Sequence, residues 1–332
     1  MGSEILGIEY VFPDKKVTNE DLSSQFPDYD FSKFQKKVGI SERYVVEEET
    51  ALDLAIKACE KLFQRFDKNK IDFILYCSQS PEYFLPSTAC ILQDKIGVSK
   101  NTGAFDFNLG CSGYTYGISI AKSLIESKQC KNVLLVTSET YSRYINEKDM
   151  SNKAIFGDAA SATLIGDSSE SKIFDFLFGT DGSGYKKLIV RNGASKNNYN
   201  ANAEEKVYGS GNSYTDNNLF MDGPEIFNFT LESIPGFVEE VLEKNKLEKQ
   251  DIDQFIYHQA NAFLLDTLRK RSKIEKDNFF INMHGGNTVS STIPIALKEY
   301  SQTIENKQKI ALIGFGVGLS WSGGIVEINK KL

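Results

Sequence analysis

A chain of 332 residues, 41% of them hydrophobic and 25% charged, has room for two domains or one two-lobed unit and the balance of a soluble globular protein. Its 38 basic and 45 acidic residues leave a net charge of −7, which argues against a nucleic acid or an anionic membrane as the main partner. The five Cys, at 59, 77, 90, 111 and 130, are odd in number and form no C-x-x-C pair, which argues against a disulfide framework or a zinc site and suits a reducing compartment. Met1-Gly2-Ser3-Glu4 opens no signal peptide, Leu6 stands where a myristoylation motif needs Ser or Thr, and no apolar run reaches membrane-spanning length. A cytoplasmic protein is expected, with no membrane partner and no metal.

Ile5 to Tyr10 reads as a short apolar strand. Thr18-Asn19-Glu20-Asp21-Leu22 starts a helix, with acidic residues in its first turn to match the dipole. Phe26 to Lys37 reads as a loop and short helix, and Gly39 to Val45 as a turn into a strand. Thr50 to Arg65 carries apolar residues at 51, 52, 54, 55, 58, 59, 62 and 63, a helical face, and Thr50 with Asp53 resembles a capping box. Phe73 to Cys77 is continuously apolar, as a strand buried on both faces is. Thr88 to Ile96 is a helix begun after Pro86 and ended by Gly97. Gly103 to Phe107 is strand-like, and Tyr114 to Ile125 has helical spacing. Val133 to Val136 and Ala162 to Ile165 are further buried strands.

The second half repeats this grammar. Gln254 to Gln259 parallels Asp72 to Cys77, and the turn His284-Gly285-Gly286-Asn287 with its helix to Tyr300 parallels the turn and helix after Cys111. Ile310 to Gly314 parallels Val133 to Val136, and Leu319 to Ile328 parallels Ala160 to Ile165. Alternating strands and helices imply βαβ units in a mostly parallel sheet, and two similar halves imply a duplicated α/β unit, divided as residues 1–170 and 171–332. Between the halves, about Asn192 to Asn218 is rich in Asn, Ser, Gly and Tyr, and reads as a long loop, either a lid or a plain surface excursion. Cys59, Cys77, Cys90, Cys130 and Trp321 are expected in the core, and Asp158 in a structural turn.

One stretch organises the rest. In Phe107-Asn108-Leu109-Gly110-Cys111-Ser112-Gly113-Tyr114 a strand feeds a glycine-flanked turn into a helix, and the turn residue is a Cys. Helix N-terminal N–H groups favour thiolate over thiol, and glycines allow a close approach. Alone, the stretch reads equally as a nucleophile or as a buried small apolar residue. The chain has two His. His258 ends an apolar strand, and Asn287 follows His284-Gly285-Gly286. Active sites gather at the carboxyl ends of strands in α/β sheets, and Cys111, His258 and Asn287 all lie at such turns. A thiolate that takes an acyl group, with two hydrogen-bond donors for a second carbonyl as it becomes an enolate, fits acyl chemistry. His284 is expected to hydrogen-bond locally near the site, and no fourth ligand supports a metal.

The chain resembles the beta-ketoacyl-[acyl-carrier-protein] synthase III family of thiolase-fold condensing enzymes. The resemblance rests on Leu6-Gly7, Val17 to Leu22, Gly39 to Arg43, Pro86 to Cys90, Gly110 to Tyr114 and Phe156 to Ala160. It continues through Met221 to Phe227, His258-Gln259-Ala260-Asn261, Gly286-Asn287-Thr288 and Gly314 to Trp321, in the family's order and spacing over the whole chain. It implies an α/β thiolase-like fold with duplicated halves layered α-β-α-β-α. It implies an acyltransferase that condenses an acyl primer with malonyl-acyl-carrier protein, releasing carbon dioxide and giving a beta-ketoacyl thioester. Cys111 would carry the acyl group, and His258 and Asn287 would bind the malonyl thioester carbonyl. The backbone N–H groups of Cys111 and Val317 would form the oxyanion hole, Val317 standing where the family commonly has Gly. A homodimer would bring Leu85 toward the partner's acyl pocket. Thioesters of CoA or phosphopantetheine would be substrates, with no permanently bound cofactor.

Three positions depart from the pattern. Lys33 and Met150 fall where members primed by acyl-CoA often hold adenine between Trp and Arg, and neither can stack so. Phe263 stands where the family often has an Arg that helps hold the carrier's phosphopantetheine arm or the carrier itself. Arg269, Lys270 and Arg271, with Lys273 beyond, form either a carrier-docking patch or a solvated helix end. These departures point to a primer delivered on an acyl-carrier protein rather than as acyl-CoA. Two other readings compete: a same-fold transferase acting on an alcohol or amine, and a non-catalytic acyl-binding subunit. Retention of both His258 and Asn287 favours carbon–carbon bond formation.

Overall fold

The computed structural model describes residues 2–209, 211–329 and 331–332; Met1, Ser210, within the long loop expected from sequence, and Lys330 lie outside the described residues. In chain order come β1 (Gly2–Val11), β2 (Lys16–Thr18), α1 (Asn19–Gln25), α2 (Phe31–Val38), β3 (Glu42–Tyr44), α3 (Ala51–Phe63), β4 (Phe73–Cys77) and α4 (Thr88–Ile96). Then follow β5 (Gly103–Phe107), α5 (Gly113–Glu126), β6 (Asn132–Glu139), α6 (Met150–Ile155), β7 (Ala159–Ser168) and β8 (Ile173–Thr180). After β9 (Leu188–Val190), β10 (Lys206–Tyr208), β11 (Asn212–Tyr214) and β12 (Leu219–Met221) come α7 (Gly223–Lys244), β13 (Gln254–Tyr257), α8 (Ala262–Arg271), β14 (Phe279–Phe280), α9 (Thr292–Ser301), β15 (Gln308–Gly316) and β16 (Ser320–Ile328).

The expected starts have local causes. Thr18 and Thr50 close capping boxes with Asp21 and Asp53, and Gly97 ends α4 in the left-handed region at φ 66°. Two five-stranded sheets form, ordered β1-β7-β6-β4-β5 and β8-β16-β15-β13-β14. They are one topology used twice, with β8, β16, β15, β13 and β14 in the places of β1, β7, β6, β4 and β5. The sheets are mixed rather than mostly parallel. β4 lies parallel to β5 and β6, but β6/β7 and β7/β1 are antiparallel, and the second sheet repeats this. Only residues 317–319 join β15 to β16, too few for a parallel crossover.

Packing gives the α-β-α-β-α layering. Leu54 and Leu62 of α3 and Leu92 of α4 cover Ile74 and Val136 on the outer face of the first sheet. In the middle layer, Ile118 and Ile125 of α5 and Ile293 and Leu297 of α9 fill the space between Leu75 and Leu135 of one sheet and Ile256 and Leu312 of the other. Phe237 and Val241 of α7 and Leu265 and Leu268 of α8 close the far face over Phe255 and Ile313. Both sheets therefore point their strand ends at the turns beside the middle helices.

Three expectations need correction. Cys59 and Cys77 are buried, but Cys130 is half-buried and Cys90 exposed, because Ala89 and Leu92 take the inward face of α4. Trp321 is half-buried against Phe229. The segment from Asn192 to Asn218 is not a plain loop. β9 pairs with β12 across its base, and β10 pairs with β11 as a hairpin within it.

Candidate active site

The turn between β5 and α5 is closed by the Gly113 N–H donating to the Gly110 carbonyl at 2.8 Å. Glycines answer close approaches here: a Cβ on Gly113 would meet the Cys77 Sγ at 2.2 Å, and one on Gly316, at the end of β15, would meet the Cys111 Sγ at 3.0 Å. Cys111 therefore sits between the start of α5 and the end of β15, and it is buried. His258 follows β13, its N–H donating to the Ile313 carbonyl at 2.8 Å. Asn287 comes from the second half but is held by the first: its N–H donates to the Ile155 carbonyl at 2.9 Å, and its carbonyl accepts from Gly157 at 3.1 Å.

Cys111, His258 and Asn287 line one cavity of about 150 Å³. Tyr141, Phe156, Leu188, Met221 and Ile226 give it an apolar wall, and Phe227, Asn261 and Leu264 line it further. The Asn287 Oδ1 accepts from the Val289 N–H at 2.9 Å, which turns Nδ2 outward as the available donor. Val289, buried and β-branched, holds φ at 55°, a costly conformation fixed by its surroundings. The His258 Nδ1 lies 2.7 Å from the Thr292 Oγ1, so Nε2 is the nitrogen left for the cavity.

Burial dominates the site's electrostatics. It pushes His258 down to about 3, with the Val289 main chain opposing, so the imidazole is neutral. It pushes the Cys111 thiol up to about 12, helped by the negative charge of Glu139 and opposed by the backbone N–H groups of Cys111 and Val317. In the resting site desolvation thus outweighs the helix terminus. Glu139, itself pushed up to about 8 by burial, ends β6 and accepts from the Gln79 N–H at 3.0 Å, the Ser80 Oγ at 3.2 Å and the Ser290 Oγ at 2.8 Å. It joins the segment after β4 to the one after Asn287.

Other expected residues lie elsewhere. Leu85 is 82% exposed and does not line its own chain's cavity. Arg269 is paired with Asp266 at 2.9 Å and donates to the Ile274 carbonyl, and Lys270 pairs with Asp266 at 2.6 Å. These two and Arg271 occupy the last turn of α8, whereas Leu264 near its start lines the cavity. Lys273 borders a separate groove of about 800 Å³ with Glu239, Glu243 and Glu275. Phe263 is exposed, stacked on Phe227 at 5.8 Å and covered by the Lys37 Nζ at 4.8 Å. Lys33 pairs with Asp30, and Met150 is buried at the start of α6. His284 is outside the cavity, 3.4 Å from the Tyr44 hydroxyl and 3.5 Å from Glu42. Asp158 holds its turn by accepting from the Val46 and Ser142 N–H groups. Among the described residues no cluster of His, Cys, Asp or Glu could hold a metal, and no helix is long and apolar enough to cross a membrane.

Sequence reasoning missed Glu139, Tyr141, Val289 and Thr292. Glu139 and Tyr141 could have been found by the logic that found His258, since Thr137-Ser138-Glu139-Thr140-Tyr141 follows an apolar strand into a turn.

Comparison with known proteins bears on this arrangement. The family model for 3-oxoacyl-[acyl-carrier-protein] synthase III matches residues 105–182, and its C-terminal counterpart matches residues 242–328. A beta-ketoacyl-[acyl-carrier-protein] synthase III of Clostridium novyi is 35% identical over 322 residues, 96% of each chain. The chain belongs to the beta-ketoacyl-[acyl-carrier-protein] synthase III family. A synthase III of Caldanaerobacter subterraneus is likewise 35% identical, over 98% of both chains. A crystal structure of a 3-oxoacyl-(acyl-carrier-protein) synthase III superposes with a TM-score of 0.96 at 41% identity, covering 99% of this chain and 100% of that one. The fold is accordingly the thiolase-like one of this condensing-enzyme family.

Proposed function

We propose that the protein condenses an acyl primer with malonyl-acyl-carrier protein, with loss of carbon dioxide, to give a beta-ketoacyl thioester. The observation that carries this reading is the single cavity in which one thiol, contacted by two backbone N–H groups, meets a neutral imidazole and an outward amide. In the first half-reaction the Cys111 sulfur attacks the primer thioester. The tetrahedral oxyanion is held by the Cys111 and Val317 N–H groups, and the departing thiol carries away the proton. In the second, the bond between the malonyl carboxylate and its methylene carbon breaks. The electron pair passes into an enolate whose oxygen is held by the Asn287 Nδ2 and the His258 Nε2, neither of which brings a charge. The methylene carbon then attacks the acyl group on Cys111, and collapse of the adduct frees the sulfur, which regains a proton.

Finer assignments follow from the same reading. The substrates are thioesters of phosphopantetheine or CoA, with the carrier-bound form as the main primer, in the cytoplasm. Lys270 and Arg271, exposed on α8, are the members of the basic run left to meet an acidic carrier. The halves 1–170 and 171–332 act as the thiol-bearing and the His/Asn-bearing units. A homodimer brings Leu85 to its partner's pocket.

The test is incubation of purified protein with acyl donors and malonyl-carrier, followed by mass spectrometry of Cys111 and trapping of carbon dioxide. Both an acyl mass gain and carbon dioxide release are expected, and Cys111→Ser and His258→Ala abolish the condensed product. Acyl gain with transfer to an alcohol or amine and no carbon dioxide would establish the transferase instead. No gain on Cys111 would leave a binding subunit.

A further inference from the structure

We propose that the hydroxyls of Ser112 and Ser320, bonded to each other across the two halves of the chain, are positioning residues that align the Cys111 and Val317 N–H groups on one oxyanion. The inference rests on the reading of Cys111 as the acyl carrier. The two donors come from elements far apart in sequence. Cys111 precedes α5, and Val317 opens the link of residues 317–319 between β15 and β16. Both N–H groups contact the Cys111 sulfur. The backbones that carry them pass closely: a Cβ on Gly314 would meet the Cys111 carbonyl oxygen and the Ser112 Cα, each at 2.8 Å. Yet among the described residues no main-chain hydrogen bond joins residues 110–113 to residues 314–320. Side chains therefore set how the two segments lie.

Buried hydroxyls make the link. The Ser112 Oγ lies 2.9 Å from the Ser320 Oγ. Below them the Ser112 carbonyl has the Thr115 Oγ1 at 2.8 Å and the Ser322 Oγ at 3.1 Å, and those two hydroxyls meet each other. One proton thus serves the carbonyl and the other the bond between them. The lower pair anchors α5 on β16. The Ser112–Ser320 bond lies level with the donors, since Ser112 follows Cys111 and Ser320 is the strand partner of Gly316, the residue before Val317. Ser112 is also the N-cap of α5, yet its side chain makes no cap bond. A Ser there ordinarily accepts from an N–H of the first turn; this one turns to the second half of the chain instead. With the bond made, both N–H groups are aimed before the reaction at the place where the oxygen takes its charge, which is what makes such donors effective. Without it, the link keeps its hold on Asp181, with which Leu319 exchanges main-chain bonds at 2.9 and 3.0 Å, but loses its alignment on α5.

The experiment compares two reactions of one sulfur. Acylation by a thioester passes through an oxyanion, whereas alkylation by iodoacetamide expels iodide from a saturated carbon and forms none. Mass gain on Cys111 is timed with acetyl and hexanoyl thioesters, each of CoA and of acyl-carrier protein, and separately with iodoacetamide. Ser112→Ala and Ser320→Ala are each expected to lower the ratio of acylation rate to alkylation rate by about tenfold, short of the loss that follows when such a donor is removed outright. Ser320→Thr, which keeps the hydroxyl, holds the wild-type ratio. The variant carrying both alanines keeps the low ratio but melts higher than either single variant, because no hydroxyl is left buried without its partner. That double variant decides the matter should the single ones not fold. Ser161→Ala, which removes a buried hydroxyl 2.8 Å from the Thr137 Oγ1, leaves the ratio unchanged. Acylation and alkylation rates that fall together, or not at all, in the folded Ser112 and Ser320 alanine variants overturn the proposal, as does an equal fall of the ratio in Ser161→Ala. In each of these cases an acylated Cys111 leaves the proposed activity standing. A wild type that no donor acylates overturns that activity, and the alignment with it.

Discussion

Cys111 holds its thiol where charge is costly, and Glu139 adds to that cost from the end of β6. A neutral amide in place of the carboxylate keeps the size and most hydrogen bonds but removes the negative charge. Glu139→Gln is therefore expected to move the pH midpoint of Cys111 alkylation downward; an unmoved midpoint would show that Glu139 acts only as a tie between loops. The same substitution has a stability signature. Burial pushes the carboxyl up to about 8 in the fold, from its ordinary 4.5. Between those values the folded state keeps a proton that the unfolded state has lost, so stability falls as pH rises, by ~1.4 kcal/mol per unit at the steepest. Urea denaturation of Glu139→Gln from pH 4.5 to 8 should show a flatter dependence than wild type. Thr292 offers a second prediction. For His258 to donate through Nε2 its Nδ1 must accept, and the Thr292 hydroxyl, 2.7 Å from Nδ1, supplies that proton only by giving up its 3.1 Å donation to the Val289 carbonyl. With two histidines in the chain, nitrogen NMR of His-labelled protein reads the tautomer directly. Thr292→Val should mix the tautomers and slow decarboxylation by roughly tenfold, whereas Thr292→Ser should restore both.

At the scale of elements, what was legible was what local chemistry writes. Phe73 to Cys77 and Thr88 to Ile96 match β4 and α4 residue for residue, because a continuous apolar run and a Pro-to-Gly frame are local signals. Cys111 and His258 were legible because each follows a strand closely, and all three, Asn287 included, because the family motifs surround them. The stretch from Asn192 to Asn218 was not, since nothing periodic marks it. Its hairpin is held by contacts distant in sequence. The Ser151 N–H donates to the Asn212 Oδ1 at 3.1 Å, the Asn212 Nδ2 donates back to the Ser151 Oγ at 2.9 Å, and the Tyr208 hydroxyl donates to the Asp149 Oδ2 at 2.8 Å. The Arg191 guanidinium lies over Phe220 at 4.9 Å and Tyr214 at 5.8 Å. The segment is thus pinned to the start of α6. Tyr208→Phe removes one partner of the buried Asp149 and should cost about 1–3 kcal/mol. Hydrogen exchange should show β10 and β11 loosening before the two large sheets; equal protection in variant and wild type would contradict a role for this tie.

At the scale of the molecule, the weak echo between halves proves to be one strand order used twice, and the middle helices of both halves share one core. Asn287 is held by Ile155 and Gly157, so neither half completes the site alone. The same incompleteness extends outward. Tyr83, Phe84 and Leu85 are 61%, 84% and 82% exposed in succession, and Phe105 shows on β5, the edge strand of the first sheet. Consecutive exposed large apolar side chains beside an open strand edge need a cover. The segment that bears them begins at Gln79 and Ser80, which touch Glu139 and, through Gln79, Tyr141. A second copy seated there would both cover the patch and reach the wall of the cavity. Wild type is therefore expected to sediment at twice the chain mass, and Phe84→Glu at the mass of one chain. Because Phe84 lines no part of its own chain's cavity, loss of condensation in that variant would be a loss of the partner's contribution. Mixing it with inactive Cys111→Ser subunits, which retain an intact segment, should restore activity if mixed dimers form. Wild type that sediments as a single chain and still condenses would remove the second copy from the mechanism.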